Sequence, residues 1–184
     1  MPKTSVRTFL VISILIGFFF AASLKNRQHP IQNQRPMPSF NLTRASISFG
    51  SLSQSLISSQ TVYSLPVLIN TQTDKVTGVQ LELKYDPAVI ENLKINPGSF
   101  FTSPITLISR VDATNGRISY VIVLAPQEIA KSGSGVVATL GFNSSAKVPT
   151  QTSIQFLPKS LVTAQGIKQS VLSAVTPAQI IVGQ

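Results

Sequence analysis

Residues 78–101 read GVQLELKYDPAVIENLKINPGSFF. The stretch opens by alternating. Val79, Leu81, Leu83 and Tyr85 fall on one side of an extended chain, and Gln80, Glu82, Lys84 and Asp86 on the other. That is the period of a strand with one buried face. Asp86-Pro87 ends it, because proline has no N–H to give to a ladder and Asp-Pro favours a turn. Ala88 to Leu93 makes a short hop, Leu93-Lys94-Ile95 re-extends, and Asn96-Pro97-Gly98 turns again into Ser99-Phe100-Phe101.

The same grammar spreads outward. Ile105–Val111 and Arg117–Leu124 form a pair around Asp112-Ala113-Thr114-Asn115-Gly116, where Asn-Gly supplies the positive backbone angles of a tight hairpin. The second of these strands is apolar on both sides, with Ile118, Tyr120, Ile122 and Leu124 on one and Val121 and Val123 on the other. A two-sided strand is either covered on both faces or presents an apolar binding surface. Upstream, Ala45–Phe49 alternates, and Leu52–Ser59 is a Ser-rich loop holding a short strand. Thr61–Asn70 carries apolar residues at Val62, Leu65, Val67 and Ile69, with Pro66 marking an edge or a bulge. Downstream, Ala125–Lys131 is a loop with room for one helical turn. Val136–Ser144, Ser153–Leu157, Leu161–Thr163 and Ile180–Val182 follow as strands. No helical stripe interrupts them. The expected class is all-β, an antiparallel β-sandwich.

The central run resembles the cohesin family, the β-sandwich modules of bacterial cellulosome scaffolds. The resemblance is carried by Leu81-Glu82-Leu83-Lys84-Tyr85-Asp86-Pro87, then Val89-Ile90-Glu91, then Asn96-Pro97-Gly98-Ser99-Phe100. Gly116-Arg117-Ile118-Ser119-Tyr120 and Gly133–Phe142 agree with it, so that it spans roughly Ala45 to Val182. It implies a jelly-roll topology of about nine strands. It also implies protein binding: cohesins hold dockerin modules on one flat sheet face. Carried over through Tyr85-Asp86-Pro87, that face consists of Gly78, Gln80, Glu82 and Lys84 with Arg117, Ser119, Val121 and Val123. Calcium-dockerin-binding cohesins place Asn and Asp at the first two positions of the first row. This chain has Gly78 and Gln80 there. The implied partner is a dockerin-like module in a polysaccharide-degrading assembly. A carbohydrate-binding module and a structural or adhesive surface domain are the alternatives.

The N-terminus reads differently. Lys3 and Arg7 precede an apolar run from Phe9 to Leu24, closed by Lys25 and Arg27. This is an export signal: an uncleaved anchor in the membrane through residues 9–24, or a signal peptide cut after Ala21-Ala22-Ser23. The basic residues before the run favour a cytoplasmic N-terminus. Residues 25–43 are rich in Pro, Gln and Asn and cannot bury enough surface to offset their ordering entropy, so they form a spacer. The expected organisation is therefore signal or anchor (1–24), linker (25–43) and sandwich (44–184), with the sandwich outside the cytoplasmic membrane.

Charge and residue inventory narrow the chemistry. The net charge is +9, but residues 1–44 hold six of the fifteen basic residues and no acid. The rest has nine basic residues against six acidic ones, scattered and without a run, which argues against nucleic-acid binding. There is no cysteine, and the single histidine, His29, lies in the linker. Ser-His-Asp and Cys-His arrangements cannot be built in the sandwich. The carboxylates Asp74, Glu82, Asp86, Glu91, Asp112 and Glu128 offer no evident facing pair for glycoside hydrolysis. Asp112, Thr114 and Asn115 supply too few carboxylates for calcium and read as turn chemistry. No catalysis, cofactor or metal is expected. Stacking on sugars needs exposed rings. With no tryptophan, and with Tyr85 and Tyr120 facing inward, only Tyr63 is left for that purpose.

Overall fold

The computed structural model describes residues 45–57 and 60–183. In chain order they form β1 (Ala45–Phe49), β2 (Ser53–Ile57), β3 (Gln60–Asn70), β4 (Val76–Lys84), β5 (Ile90–Pro97) and β6 (Ile105–Asp112). The second half forms β7 (Arg117–Val123), β8 (Ser134–Ser144), β9 (Thr150–Phe156), β10 (Leu161–Ala164), β11 (Leu172–Thr176) and β12 (Ala178–Val182). The apolar run 9–24 and the linker 25–43 lie outside the described residues.

Two six-stranded sheets result. One runs β11-β1-β3-β8-β5 with β2 also on β3, and the other β12-β9-β4-β7-β6 with β10 also on β4. Neighbours in a sheet are mostly distant in sequence, so the chain passes back and forth between the layers. The alternation at the centre of the sequence explains the packing. Val79, Leu81, Leu83 and Tyr85 of the second sheet are buried, as are Ile118, Tyr120 and Ile122 beside them. The first sheet answers with Ile47, Leu65, Val67, Ile69, Leu140 and Phe142. Burying each such side chain contributes about 1.5–3 kcal/mol.

Three expectations are corrected. The described strands number twelve where about nine were expected. The reason is that two central strands have an edge served in pieces. β3 pairs with β2 through residues 60–64 and with β1 through residues 67–70. β4 pairs with β10 through residues 76–80 and with β9 at Leu83 and Lys84. Secondly, the sandwich is not wholly antiparallel, since β1 and β11 run parallel. Thirdly, the apolar phase of β3 is set by Tyr63, Leu65, Val67 and Ile69, and Val62 is only half-buried. Tyr63 stacks on Phe142 with centroids 5.6 Å apart. Its hydroxyl donates to the Gly183 carbonyl at 3.0 Å and accepts from the Gly183 N–H at 2.9 Å.

Pro66 sits inside a strand paired on both sides. Its carbonyl accepts from the Gly50 N–H at 2.8 Å, so this residue faces the interval between the end of β1 and the start of β2. No ladder partner waits there for the N–H that proline lacks. A register shift follows directly, between Val67 and Leu68.

The turns behave as the sequence indicates. The Asp86 side chain accepts from the Ala88 N–H at 2.9 Å, and its carbonyl from Ile90 N–H at 3.0 Å. Strand β5 begins at once, at Ile90, earlier than the expected restart at Leu93. Asn92 adopts φ 52° within a register shift, which allows Ile90, Leu93 and Ile95 all to reach the core. Ala125–Lys131 contains a single turn, closed by Glu128 N–H to the Ala125 carbonyl at 3.0 Å, and no helix.

Candidate docking face

The eight residues singled out in the sequence stand on one face of the second sheet, in four rungs. The register pairs Gly78 with Val123, Gln80 with Val121, Glu82 with Ser119, and Lys84 with Arg117. The odd-numbered neighbours on β4 point into the core, so these must point out. Lys84 and Arg117 are exposed, while Gln80, Glu82, Ser119, Val121 and Val123 are half-buried.

Gly78 departs from the expected row because it is buried. A Cβ there would lie 3.0 Å from Thr163 Oγ1, 3.1 Å from Val123 Cγ1 and 3.3 Å from the Ile122 carbonyl. Glycine lets Val123 and Thr163 close over the strand. The position offers no side chain to a partner, and its flanking residues form the surface instead.

Glu82 is the centre of the face. Its Oε1 accepts from Gln80 Nε2 at 3.0 Å and its Oε2 from Ser119 Oγ at 2.7 Å. Hydrogen bonds to an ionised acceptor are short and strong. Its main chain is held as firmly. The N–H donates to Ser160 Oγ at 3.0 Å, and the carbonyl accepts from Leu157 N–H at 2.7 Å and Ser160 Oγ at 3.1 Å. Residues 157–160 thus fill the gap between β9 and β10. They bring Leu157, Pro158 and Lys159 around an open pocket shared with Glu82, Arg117 and Ser119.

Strand β6 widens the face. Ile105 lies opposite Val123, Ile108 opposite Val121, Arg110 opposite Ser119 and Asp112 opposite Arg117. Ile105, Leu107 and Ile108 are 42%, 60% and 47% exposed, unusually open for three large aliphatic side chains so close together. On the other flank Leu161 lies opposite Gln80. Sequence reasoning missed β6 and Leu161 as surface. The signal was present: an apolar run without alternation, Ile105-Thr106-Leu107-Ile108, across the Asn-Gly turn from a strand that is apolar in both rows.

The hairpin that carries β7 is locked at its tip. Asp112 Oδ1 accepts from the Asn115 N–H at 3.0 Å and Oδ2 from Asn115 Nδ2 at 2.9 Å. These bonds, the Asn115 side chain first, hold the Asp112 carboxyl below its ordinary range. Gly116 takes φ 61°, and a Cβ there would fall on the Tyr85 carbonyl at 2.2 Å. Its own carbonyl accepts from the Tyr85 N–H at 2.9 Å. The tip of one hairpin is therefore docked against the end of β4. Among the described residues, no three His, Cys, Asp or Glu side chains gather as a metal centre.

All three tyrosines are buried, Tyr63 included, which corrects the expectation that it was free to stack on a sugar. The exposed large hydrophobic residues among those described are aliphatic.

Two stacked sheets with this strand order define a jelly-roll-type β-sandwich module. The chain belongs to the cohesin family: the Cohesin domain model matches residues 59–182. Cohesin domains are binding modules. No curated protein matches the chain. Among solved structures, a type II cohesin domain from the cellulosome of Acetivibrio cellulolyticus is 17% identical, with a TM-score of 0.55 over 74% of this chain and 95% of that one. A type I cohesin in complex with a dockerin from Clostridium thermocellum is 17% identical, with a TM-score of 0.60 over 76% and 94%. A non-cellulosomal cohesin from the archaeon Archaeoglobus fulgidus is 16% identical, with a TM-score of 0.55 over 77% and 92%. Likeness at these identities establishes a shared fold.

Proposed function

We propose that this chain is a non-catalytic docking module held at the outer side of the cytoplasmic membrane, and that the β4/β7 face captures a dockerin-type protein. The observation that carries the reading is the face itself. It is four rungs long, with the half-exposed Val121 and Val123 beside a carboxylate fixed by Gln80 and Ser119. A small apolar centre with preorganised polar neighbours is what a protein interface needs. Several of the structural neighbours are themselves cohesin–dockerin complexes. The membrane placement rests on Lys3, Arg7 and the apolar run 9–24, with residues 25–43 as the spacer.

The test is a calorimetric titration of the chain with dockerin modules encoded by the same organism, with and without a calcium chelator. Val121→Arg and Glu82→Arg are each expected to weaken binding at least tenfold, about 1.4 kcal/mol, while circular dichroism stays unchanged. Unchanged affinity in both variants would move the site off this face. Insoluble polysaccharide is expected not to retain the chain, since Tyr63, Tyr85 and Tyr120 are all buried.

A further inference from the structure

Asn115-Gly116 is the one Asn-Gly pair in the sequence. It carries a chemical liability as well as a turn. A glycine has no Cβ to keep its nitrogen away from the side chain of the residue before it. In that attack the Gly116 nitrogen bonds to Asn115 Cγ, and the Cγ–Nδ2 bond breaks. The proton given up by the Gly116 nitrogen leaves with the side-chain amide as ammonia. The cyclic imide then takes up water and opens at either carbonyl, to aspartate or to isoaspartate. No electrons are transferred, and water is the only co-reactant.

The fold cannot shed this pair. Gly116 takes φ 61°, and a Cβ there would fall on the Tyr85 carbonyl. Asn115 is exposed at the hairpin tip, open to water. Asp112 supplies the restraint. Its Oδ2 accepts from Asn115 Nδ2 at 2.9 Å, so the bonded atom is the leaving nitrogen itself, and its Oδ1 accepts from the Asn115 N–H at 3.0 Å. Both bonds draw the asparagine back toward residue 112, whereas its attacker lies ahead, at residue 116. Reaction between neighbouring groups needs the two atoms in contact and aligned. An ionised acceptor makes both bonds strong, and Arg117, opposite Asp112 in the ladder, favours the ionised form.

We propose that Asn115 is a latent site of spontaneous deamidation, and that Asp112 is the positioning residue that holds it closed by keeping the side-chain amide turned away from the Gly116 nitrogen. Either product undoes the tip. Aspartate sets a second carboxylate against Asp112, where Nδ2 had donated. Isoaspartate adds a carbon to the main chain just before Gly116, whose carbonyl accepts from the Tyr85 N–H at 2.9 Å, and so pulls that bond out of register. The change is one-way, so the module ages at this tip once the restraint fails.

The experiment incubates the full chain at mildly alkaline pH beside a synthetic peptide of residues 110–120, and follows aspartate and isoaspartate at position 115 by mass mapping. Conversion in the folded chain is expected to be about a hundredfold slower than in the peptide. Asp112→Ser keeps a hydroxyl to accept from the Asn115 N–H but leaves Nδ2 without its carboxylate, and should convert at least about tenfold faster than the unaltered chain. Ser160→Ala, a destabilising change away from the hairpin, should leave the rate where it was; it separates the local restraint from general loosening of the fold. A folded chain that converts as fast as the peptide would overturn the proposal. So would an Asp112→Ser variant no faster than the unaltered chain, or a Ser160→Ala variant as fast as Asp112→Ser, since the protection would then belong to the fold and not to Asp112.

Discussion

Tyr63 and Tyr120 are chemically identical, nearly equally buried and on opposite sheets, yet their hydroxyls are treated differently. That of Tyr63 clasps Gly183 through two hydrogen bonds. That of Tyr120 is enclosed without a bond of ordinary geometry, and burial pushes the phenol up, an effect the Thr106 hydroxyl partly offsets. A net hydrogen bond contributes about 0.5–1.5 kcal/mol, and an orphaned buried group costs about 1–3. Tyr63→Phe is therefore expected to destabilise by about 1–2 kcal/mol in urea denaturation, whereas Tyr120→Phe should be neutral or slightly stabilising. Asp112 gives a pH signature. Its folded pKa is lowered, chiefly by the Asn115 side chain, so its contribution is complete above the unfolded value of 3.8 and is lost as pH falls through the folded one. In Asp112→Asn the part of the acid-side loss below pH 3.8 that belongs to this carboxylate should vanish, as read from urea midpoints between neutral and acid pH.

At the scale of elements, the hairpin β6–β7 depends on one position. Gly116→Ala meets a positive φ and a carbonyl in the same place, and should cost more than about 2 kcal/mol, visible as a lowered melting temperature. Ser160→Ala removes a hydroxyl that both accepts from and donates to the main chain of Glu82. It should cost about 1–2 kcal/mol and weaken docking through the loss of order in residues 157–160, checked by denaturation and titration on the same variant. How legible each element was follows from what it buries. β4 is readable because one of its rows is apolar and buried and the other polar, whereas β7, apolar in both rows, is placed by the Asn-Gly hairpin before it. β2 (SQSLI) and β11 (LSAVT) expose nearly every side chain, so no period marks them, and they are held by their neighbours' backbones. Tyr63 was assigned to the surface because tyrosine suits either face; only its bond to Gly183, 120 residues away, decides the matter. The rungs of the docking face were legible, but the cover over Gly78 and the loop 157–160 come from pairings that no local pattern encodes.

For the molecule as a whole, the consequence lies in β1. It is gripped on one side by parallel β11 and on the other by antiparallel β3, four residue pairs to each. The docking face belongs to the other sheet. Removing residues 1–43 takes away neither row, so the shortened chain is expected to stay folded and to appear in the soluble fraction; an aggregated product would place the true boundary earlier. If the chain before Ala45 is tethered and a partner is dragged by flow, the pull enters the fold at β1, and it loads β1 lengthwise where it runs along the strand. Rows of hydrogen bonds pulled lengthwise must give way together, in shear, whereas rows pulled from one end open one at a time. Under load, lifetime is governed by the unfolding rate. A strand of five residues, wedged between two partners, would then serve as the molecule's mechanical clamp.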